Sequence, residues 1–179
     1  MATTEIICAG FGGQGILVTG LIIANAAMDQ DREILWYPSY GVEMRGGTAN
    51  CSVILSDTAV GSPIVSAPDV LIAMNLPSFQ KYQPAVQPGG VILMDSTLIG
   101  EAPSRSDVTV YAVPATQMAS DAGLTSLSNM ILVGKLLREC LPALDAVRDD
   151  ALRKVVPPKK AHLIEANQRA IALGSAFEG

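Results

Sequence analysis

The sequence is short of aromatic residues and of charge. Phe, Trp and Tyr make up 4% of its 179 residues, and Asp, Glu, Lys and Arg 16%, against about a quarter charged in an ordinary soluble domain. The core must therefore be aliphatic, built from Ile, Val, Leu, Ala and Met. A surface with so little charge suits a chain that ends against a partner, because lasting interfaces are more apolar than free surface. There is one histidine, His162, and there are three cysteines, Cys8, Cys51 and Cys140, too scattered to form a CxxC pair. An iron–sulfur cluster takes about four thiolates, usually closely spaced, so the chain by itself is not expected to ligate one. The same shortage argues against zinc. The thiols are expected to be buried and free, in a reducing compartment. No basic run is longer than Lys159-Lys160, and the formal net charge is −5, which argues against nucleic acid or an anionic membrane as a partner. The stretch Met1 to Glu5 lacks the basic start of a secretory signal. The longest apolar stretch, Ile16 to Met28, is interrupted by Thr19 and Asn25 and closed by Asp29, too short to span a bilayer. The expected location is the cytoplasm.

What is present is an alternation of short apolar runs and helical patterns, with no internal repeat. The length suits one domain, residues 1–179. Strands are expected at Glu5 to Ala9, Glu33 to Tyr37, Thr48 to Leu55, Asp69 to Met74, Val91 to Met94 and Val108 to Val113. Thr48 to Leu55 alternates, with Asn50 and Ser52 on a wetter face. Gln14 to Asp29 and Ser78 to Val86 read as helices. From Ala115 the chain turns helical: Ala115 to Asp121, Ser126 to Cys140, Ala143 to Val155 and Lys159 to Leu173. Gln14 to Asp29 is apolar nearly all round, which predicts burial on more than one side. The fold class is α/β: a Rossmann-like, mainly parallel sheet with helices on both faces and a helical C-terminal third, about residues 115–175.

Three constellations carry the functional reading. Gly10-Phe11-Gly12-Gly13-Gln14-Gly15 fits GxGxxG between a strand and a helix, where glycines permit a sharp turn and the helix start offers unpaired N–H donors to an anion. A dinucleotide site also needs an acid about 20 residues on, to hold a ribose. The second strand ends Leu35-Trp36-Tyr37-Pro38 with no acid at its tip, so NAD or FAD is disfavoured; an anion contact and a structural turn against a neighbouring subunit stay open. The second is the glycine-rich stretch Tyr37 to Thr48, with Tyr40, Gly41, Glu43, Arg45, Gly46 and Gly47. Such a loop lies at the carboxyl edge of an open sheet. Arg45 there can fork to a carboxylate or phosphate, pair with Glu43, or meet a partner chain. The third gathers Asn75, Asp95 and Asn129 toward the same edge, with Ser126 or Ser128 as a helix cap. No nucleophile elbow, histidine base or carboxylate pair marks an independent active site, and His162 reads as a surface residue.

The combination of GFGGQGILVTGLIIANAA, PSYGVEMRGGTANCSVILSD, PDVLIAMN, PGGVILMDS and NMILVGKLL, from about Ile6 to Leu137, resembles the γ subunits of 2-oxoacid:ferredoxin oxidoreductases. GGQG followed by SYGxExRGG is far more specific than a lone glycine loop; the helices after Pro142 carry no recognised motif. The resemblance implies a reaction in which a 2-oxoacid, coenzyme A and oxidised ferredoxin give acyl-CoA, CO2 and reduced ferredoxin. 2-Oxoglutarate is the expected substrate, with a branched-chain oxoacid next. It further implies thiamine diphosphate, Mg2+ and 4Fe–4S clusters on other subunits, α and β and in some cases δ, with the γ chain holding no cofactor and inactive alone. Carried over by motif, Gly10, Gly12, Gly13, Gln14 and Gly15 form a loop for an anion, for coenzyme A or for a subunit interface. Tyr40, Gly41, Glu43, Arg45, Gly46 and Gly47 form the second loop, with Asn75 and Asn129 beside the interface. Two rivals stand against this: an NAD-dependent oxidoreductase, and a free-standing nucleotide- or acyl-CoA-binding module. An isolated γ chain also has a homodimer open to it.

Overall fold

The computed structural model describes residues 3–30, 32–40, 47–101 and 103–179. Six strands form one sheet: β1 (Thr3–Phe11), β2 (Glu33–Tyr40), β3 (Thr48–Ser56), β4 (Val70–Ala73), β5 (Val91–Asp95) and β6 (Thr109–Val113), in the order β2-β3-β1-β4-β5-β6. Helices are α1 (Ile16–Ala27), α2 (Leu76–Tyr82), α3 (Ala115–Asp121), α4 (Ser128–Glu139), α5 (Arg148–Val155) and α6 (Ile164–Ala176). β1, β4, β5 and β6 pair in parallel, with Cys8 opposite Ile72 and Leu93 opposite Tyr111. Their continuous apolar runs follow from burial on both faces. The sheet is mainly parallel, as expected, and β3 is the strand that reverses. It runs antiparallel to both β1 and β2, with Cys8 opposite Cys51 and Trp36 opposite Val53. β2 and β3 are consecutive strands that pair as antiparallel neighbours, and β2 extends to Tyr40 rather than Tyr37.

Period-two alternation divides the sheet between two cores. Ile6, Cys8, Val53, Ile72 and Leu93 face the side that carries α1, α4 and α6; Ile7, Ala9, Leu71 and Ile92 face Phe79 of α2. The unit β1-α1 therefore lies on one face and β4-α2 on the other, and the chain reverses its winding between neighbouring strands β1 and β4. In an open α/β sheet that reversal opens a crevice at the carboxyl ends of the strands.

α4 is buried along Asn129 to Leu137, because it lies between the sheet and α6. Gly134 and Gly174 let the two helices meet at backbone distance: a Cβ on Gly134 would strike the Ile171 carbonyl, and one on Gly174 the Ile131 carbonyl. Lys135, 2% exposed, binds the chain end to this helix. Its Nζ donates to Glu139 Oε1 at 2.9 Å and to the Phe177 carbonyl at 2.8 Å, 4.7 Å from the Tyr111 ring centroid.

Boundaries in the C-terminal third differ from expectation. 3₁₀ turns at Pro142–Val147 and Pro158–Leu163 precede α5 and α6, since proline starts a turn without its own N–H. Neither Ser126 nor Ser128 caps α4: the cap position is Leu127, with no side-chain bond, and Ser126 has φ of 80°. α1 is also less enclosed than its composition predicts. Thr19, Gly20, Ile22, Ile23, Ala26 and Ala27 are buried, but Val18 is 43% and Met28 61% exposed.

Candidate functional site

The crevice between β1 and β4 is closed by one side chain. Gln14 Oε1 accepts from the Phe11 amide at 2.7 Å, and Gln14 Nε2 donates to the Met74 carbonyl at 2.9 Å. A carboxamide does this because it carries a donor and an acceptor at one end. It ties the end of β1 to the end of β4 across the space a bound pyrophosphate takes in a dinucleotide fold. The ribose acid has no place either. The strand beside β1 is the reversed β3, which presents its start, Thr48 and Ala49, at this edge.

Gly15 begins α1 in the left-handed region, φ 75°, without a side-chain cap. An α-helix leaves its first N–H groups without intrahelical carbonyls, so the amides of Ile16, Leu17 and Val18 stay available. They border a depression of about 360 Å³ lined by Phe11, Gly12, Gly13, Gly15, Ile16, Leu17, Val18 and Ala49. No titratable side chain is among these described residues, which offer apolar contact and N–H donors.

Asn129 lies against this turn from α4. Its Nδ2 donates to the Gly15 carbonyl and to Thr19 Oγ1, both at 3.3 Å, and Thr19 Oγ1 donates to the Gly15 carbonyl at 3.1 Å. Asn129 Oδ1 is buried without a partner among the described residues. Asn75 takes a different position, capping α2 by accepting from the Ser78 amide at 2.8 Å. Its Nδ2 also lacks a partner among the described residues. Asp95 is wholly buried. Its carboxylate accepts from the Thr97 amide at 3.1 Å and from Thr116 Oγ1 at 2.6 Å, which is turn and helix-start bonding.

The second loop meets the first through the backbone. The Gly12 amide donates to the Gly47 carbonyl at 2.9 Å. Gly41, Glu43, Arg45 and Gly46 lie outside the described residues, and Tyr40 ends β2. Thr19 and the Met74 carbonyl were missed by motif reading. Thr19 is readable as the residue one turn after Gly15; a carbonyl that takes a side chain from a distant turn leaves no mark in sequence.

Cys8 and Cys51 face each other across β1 and β3. The Cys8 thiol is pushed well up, first by donating toward Cys51 and then by burial. Cys51 is shifted down, chiefly by that same bond, and its Sγ donates to the Ile16 carbonyl at 3.4 Å. Among the described residues no cluster of three His, Cys, Asp or Glu side chains is placed to hold a metal, and no helix is long and apolar enough to cross a membrane.

An open α/β sheet in which Gln14 bridges the ends of β1 and β4, beside a largely apolar depression at the glycine turn, defines a Rossmann-like module. The chain belongs to the pyruvate ferredoxin/flavodoxin oxidoreductase family, whose model matches residues 5–177. It is 40% identical to the ketoisovalerate oxidoreductase subunit VorA of Methanothermobacter thermautotrophicus, over 94% of this chain and 35% of that one. The chain thus spans about a third of the length of that relative. It is 37% identical to the 2-oxoglutarate synthase subunit KorC of Methanocaldococcus jannaschii, over 75% of this chain and 73% of that one. Among solved structures it is similar to the γ subunit of keto/oxoacid ferredoxin oxidoreductase from Geobacter sulfurreducens: TM-score 0.79, 27% identity, 96% of this chain and 95% of that one.

Proposed function

We propose that the chain is the γ-type subunit of a multisubunit 2-oxoacid:ferredoxin oxidoreductase, the complex that converts 2-oxoacid, coenzyme A and oxidised ferredoxin into acyl-CoA, CO2 and reduced ferredoxin. The observation that carries this is the likeness, over nearly the full length of both chains, to a γ subunit of that class. The apolar depression beside the glycine turn supports it as a surface for contact with a partner. Thiamine diphosphate, Mg2+ and 4Fe–4S clusters then belong to the α, β and, where present, δ subunits. The closed crevice disfavours the NAD-dependent rival.

In this reading the turn Gly10 to Gly15 and the stretch Tyr40 to Gly47 both serve the interface with the catalytic subunits, close to where coenzyme A arrives. Arg45 is its anion contact. 2-Oxoglutarate is the proposed substrate, in line with the KorC relative; ketoisovalerate is the second reading, favoured by the 40% identity to VorA. The experiment is affinity purification of the native complex through this chain, then CoA-dependent ferredoxin reduction with each oxoacid. Recovery of thiamine-dependent subunits in fixed ratio, with turnover on 2-oxoglutarate, is the expected result. Turnover on ketoisovalerate alone selects the second reading, and a chain recovered without such subunits overturns the proposal. Arg45→Ala is expected to weaken assembly or acyl transfer to coenzyme A; normal assembly and normal CoA-dependent turnover would remove Arg45 from that role.

A further inference from the structure

Cys8 and Cys51 are nucleophilic side chains to which the subunit reading gives no task. Both are fully buried, and a free thiol in an aliphatic core ordinarily packs as a small apolar group. Three relationships set this pair apart. The first is position. The register places Cys8 directly opposite Cys51, and both side chains join the core beneath α1. The Gly12–Gly47 bond lies four residues further along the same register. Hydrogen-bonded pairs alternate along an antiparallel ladder, so Cys8 and Cys51 form a pair of that kind, with Cα atoms about 5.5 Å apart. A disulfide most often spans roughly 5.5–6 Å between Cα atoms.

The second is asymmetry. The Cys51 sulfur accepts from the Cys8 thiol. Trp36 Nε1, buried without a hydrogen-bonding oxygen or nitrogen among the described residues, faces the same sulfur. Gly20 makes the room, since a Cβ there would strike both Cys51 Sγ and Trp36 Nε1. These donors hold Cys51 below the usual thiol range, while donation to Cys51 and burial push Cys8 well above it. A pair divided in this way has one nucleophile and one thiol that keeps its proton. The third is access. Trp36 borders, with Leu21, Ala24 and Ile34, a depression of about 410 Å³ between α1 and β2, and β2 is the outermost strand of the sheet. Displacement of the indole ring opens a path to Cys51 for a molecule of two oxygen atoms.

We propose that Cys8 and Cys51 form a redox latch: a hydroperoxide converts them into a cross-strand disulfide that a dithiol reductant reopens, tying β1 to β3 beneath the glycine turn under oxidising conditions. The Cys51 sulfur attacks one oxygen of hydrogen peroxide. The O–O bond breaks, an S–O bond forms, and the second oxygen leaves as hydroxide, which takes the proton released by Cys51 and becomes water. The Cys8 sulfur then attacks the Cys51 sulfur. The S–O bond breaks, the S–S bond forms, and the sulfenic oxygen leaves as water with the Cys8 proton. Two thiols and one peroxide thus give one disulfide and two waters; the sulfurs lose two electrons and the peroxide gains them. Exchange with a dithiol returns both thiols and leaves the reductant as its own disulfide. The bridge adds no atom to the core, whereas alkylation of either sulfur would.

The test uses the full chain, reduced, freed of reductant and held in excess hydrogen peroxide. N-ethylmaleimide in denaturant then marks the remaining thiols, and peptide mapping locates them. The expected result is a bridged peptide joining Cys8 to Cys51, with Cys140 outside the bridge, and maleimide on Cys8 and Cys51 once dithiothreitol precedes the label. The oxidised chain is expected to melt about 5 °C or more above the reduced chain, because the bridge closes the long loop between the two strands. In Cys8→Ser, dimedone added with denaturant should trap a sulfenic acid on Cys51; in Cys51→Ser it should trap none on Cys8. Maleimide on both Cys8 and Cys51 of the peroxide-treated wild type overturns the pair, as does a bridge that includes Cys140. A bridged chain that melts no higher than the reduced one overturns the latch, and trapping on Cys8 in place of Cys51 overturns the assignment of the nucleophile. The wild-type mapping and melting decide the proposal even where a serine variant fails to fold.

Discussion

Gly12 and Gly47 stand 35 positions apart in the sequence and share one hydrogen bond: the amide of the first donates to the carbonyl of the second at 2.9 Å. That bond extends the β1–β3 pairing by one step beyond Phe11 opposite Thr48. The glycine turn is thereby fastened to the residue that precedes β3 at the carboxyl edge of the sheet. The predictions below test what holds that edge and the helices behind it.

Gln14→Ala removes both bonds that close the crevice, leaving the Phe11 amide and the Met74 carbonyl without their partner. A lost hydrogen bond of this kind costs about 1–2 kcal/mol, which for a chain of this size lowers Tm by roughly 3–6 °C. Gln14→Glu is expected to be no better than alanine, because the carboxylate keeps the acceptor for Phe11 but loses the donor to Met74. Thermal unfolding checks the stability, and faster hydrogen exchange at Phe11 in Gln14→Ala checks the mechanism.

Gly15→Ala combines backbone strain with a clash. The residue sits at φ 75°, where a side chain costs roughly 1–2 kcal/mol, and its Cβ would strike Asn129 Nδ2. Asn129→Ala removes the obstacle. The two changes are therefore expected to be non-additive, Gly15→Ala costing less in the Asn129→Ala background, with a coupling of about 1 kcal/mol. A double-mutant cycle in urea measures it; strict additivity would mean that Asn129 does not constrain the turn.

Gly134→Ala and Gly174→Ala each push a methyl group into a facing backbone carbonyl, and backbone cannot rotate away as a side chain can. Overpacking costs typically 1–3 kcal/mol, and about 3 kcal/mol or more is expected here for either change. Because α4 lies between the sheet and α6, the loss should appear as a lower denaturation midpoint of the whole chain.

Glu139 sets an acid limit on the C-terminal clamp. The Lys135 ammonium, donating at 2.9 Å, holds its carboxyl below the usual glutamate range, with the Tyr111 hydroxyl adding to the effect. A carboxyl whose folded pKa is depressed adds stability above its unfolded pKa and loses it as the pH falls through the folded value. Wild type is therefore expected to lose part of its advantage over Glu139→Gln between neutral pH and about pH 3–4. Paired urea midpoints at pH 7 and pH 4 should show the gap closing; a gap that widens in acid would reverse the assignment.

The cysteines should be quiet in the native chain. Cys8 and Cys51 are fully buried, and burial pushes the half-buried Cys140 up to about 11, so little of it is thiolate at pH 8. Iodoacetamide at pH 8 is expected to leave the folded chain nearly unmodified and to label all three thiols in denaturant, as read by intact mass.

Much of this was legible locally. The apolar runs at Glu5 to Ala9, Asp69 to Met74 and Val91 to Met94 read as buried strands and fall on β1, β4 and β5, and Ala115 to Asp121 is helical over its full expected range. The glycine turn was legible because backbone geometry demands that residue type. The family was legible because GGQG and SYGxExRGG are both specific and occur in order. The direction of β3 was not: an alternating strand looks the same in a parallel or antiparallel pair, since period two reports faces and not neighbours. Applying the ribose-acid test to the tip of β2 assumed that β2 adjoins β1, which the structure corrects.

The sequence alone determined the α/β class, the aliphatic core, the sharp turn at Gly10 to Gly15 and the kinship of the chain, because each depends on residue type at short spacing. The tertiary structure decided that Gln14 reaches Met74, that Asn129 backs Gly15 and that α4 and α6 meet at Gly134 and Gly174. Those relationships join residues from about 40 to more than 100 positions apart. Long-range closure is set by the packing of the whole chain, and no local pattern encodes it.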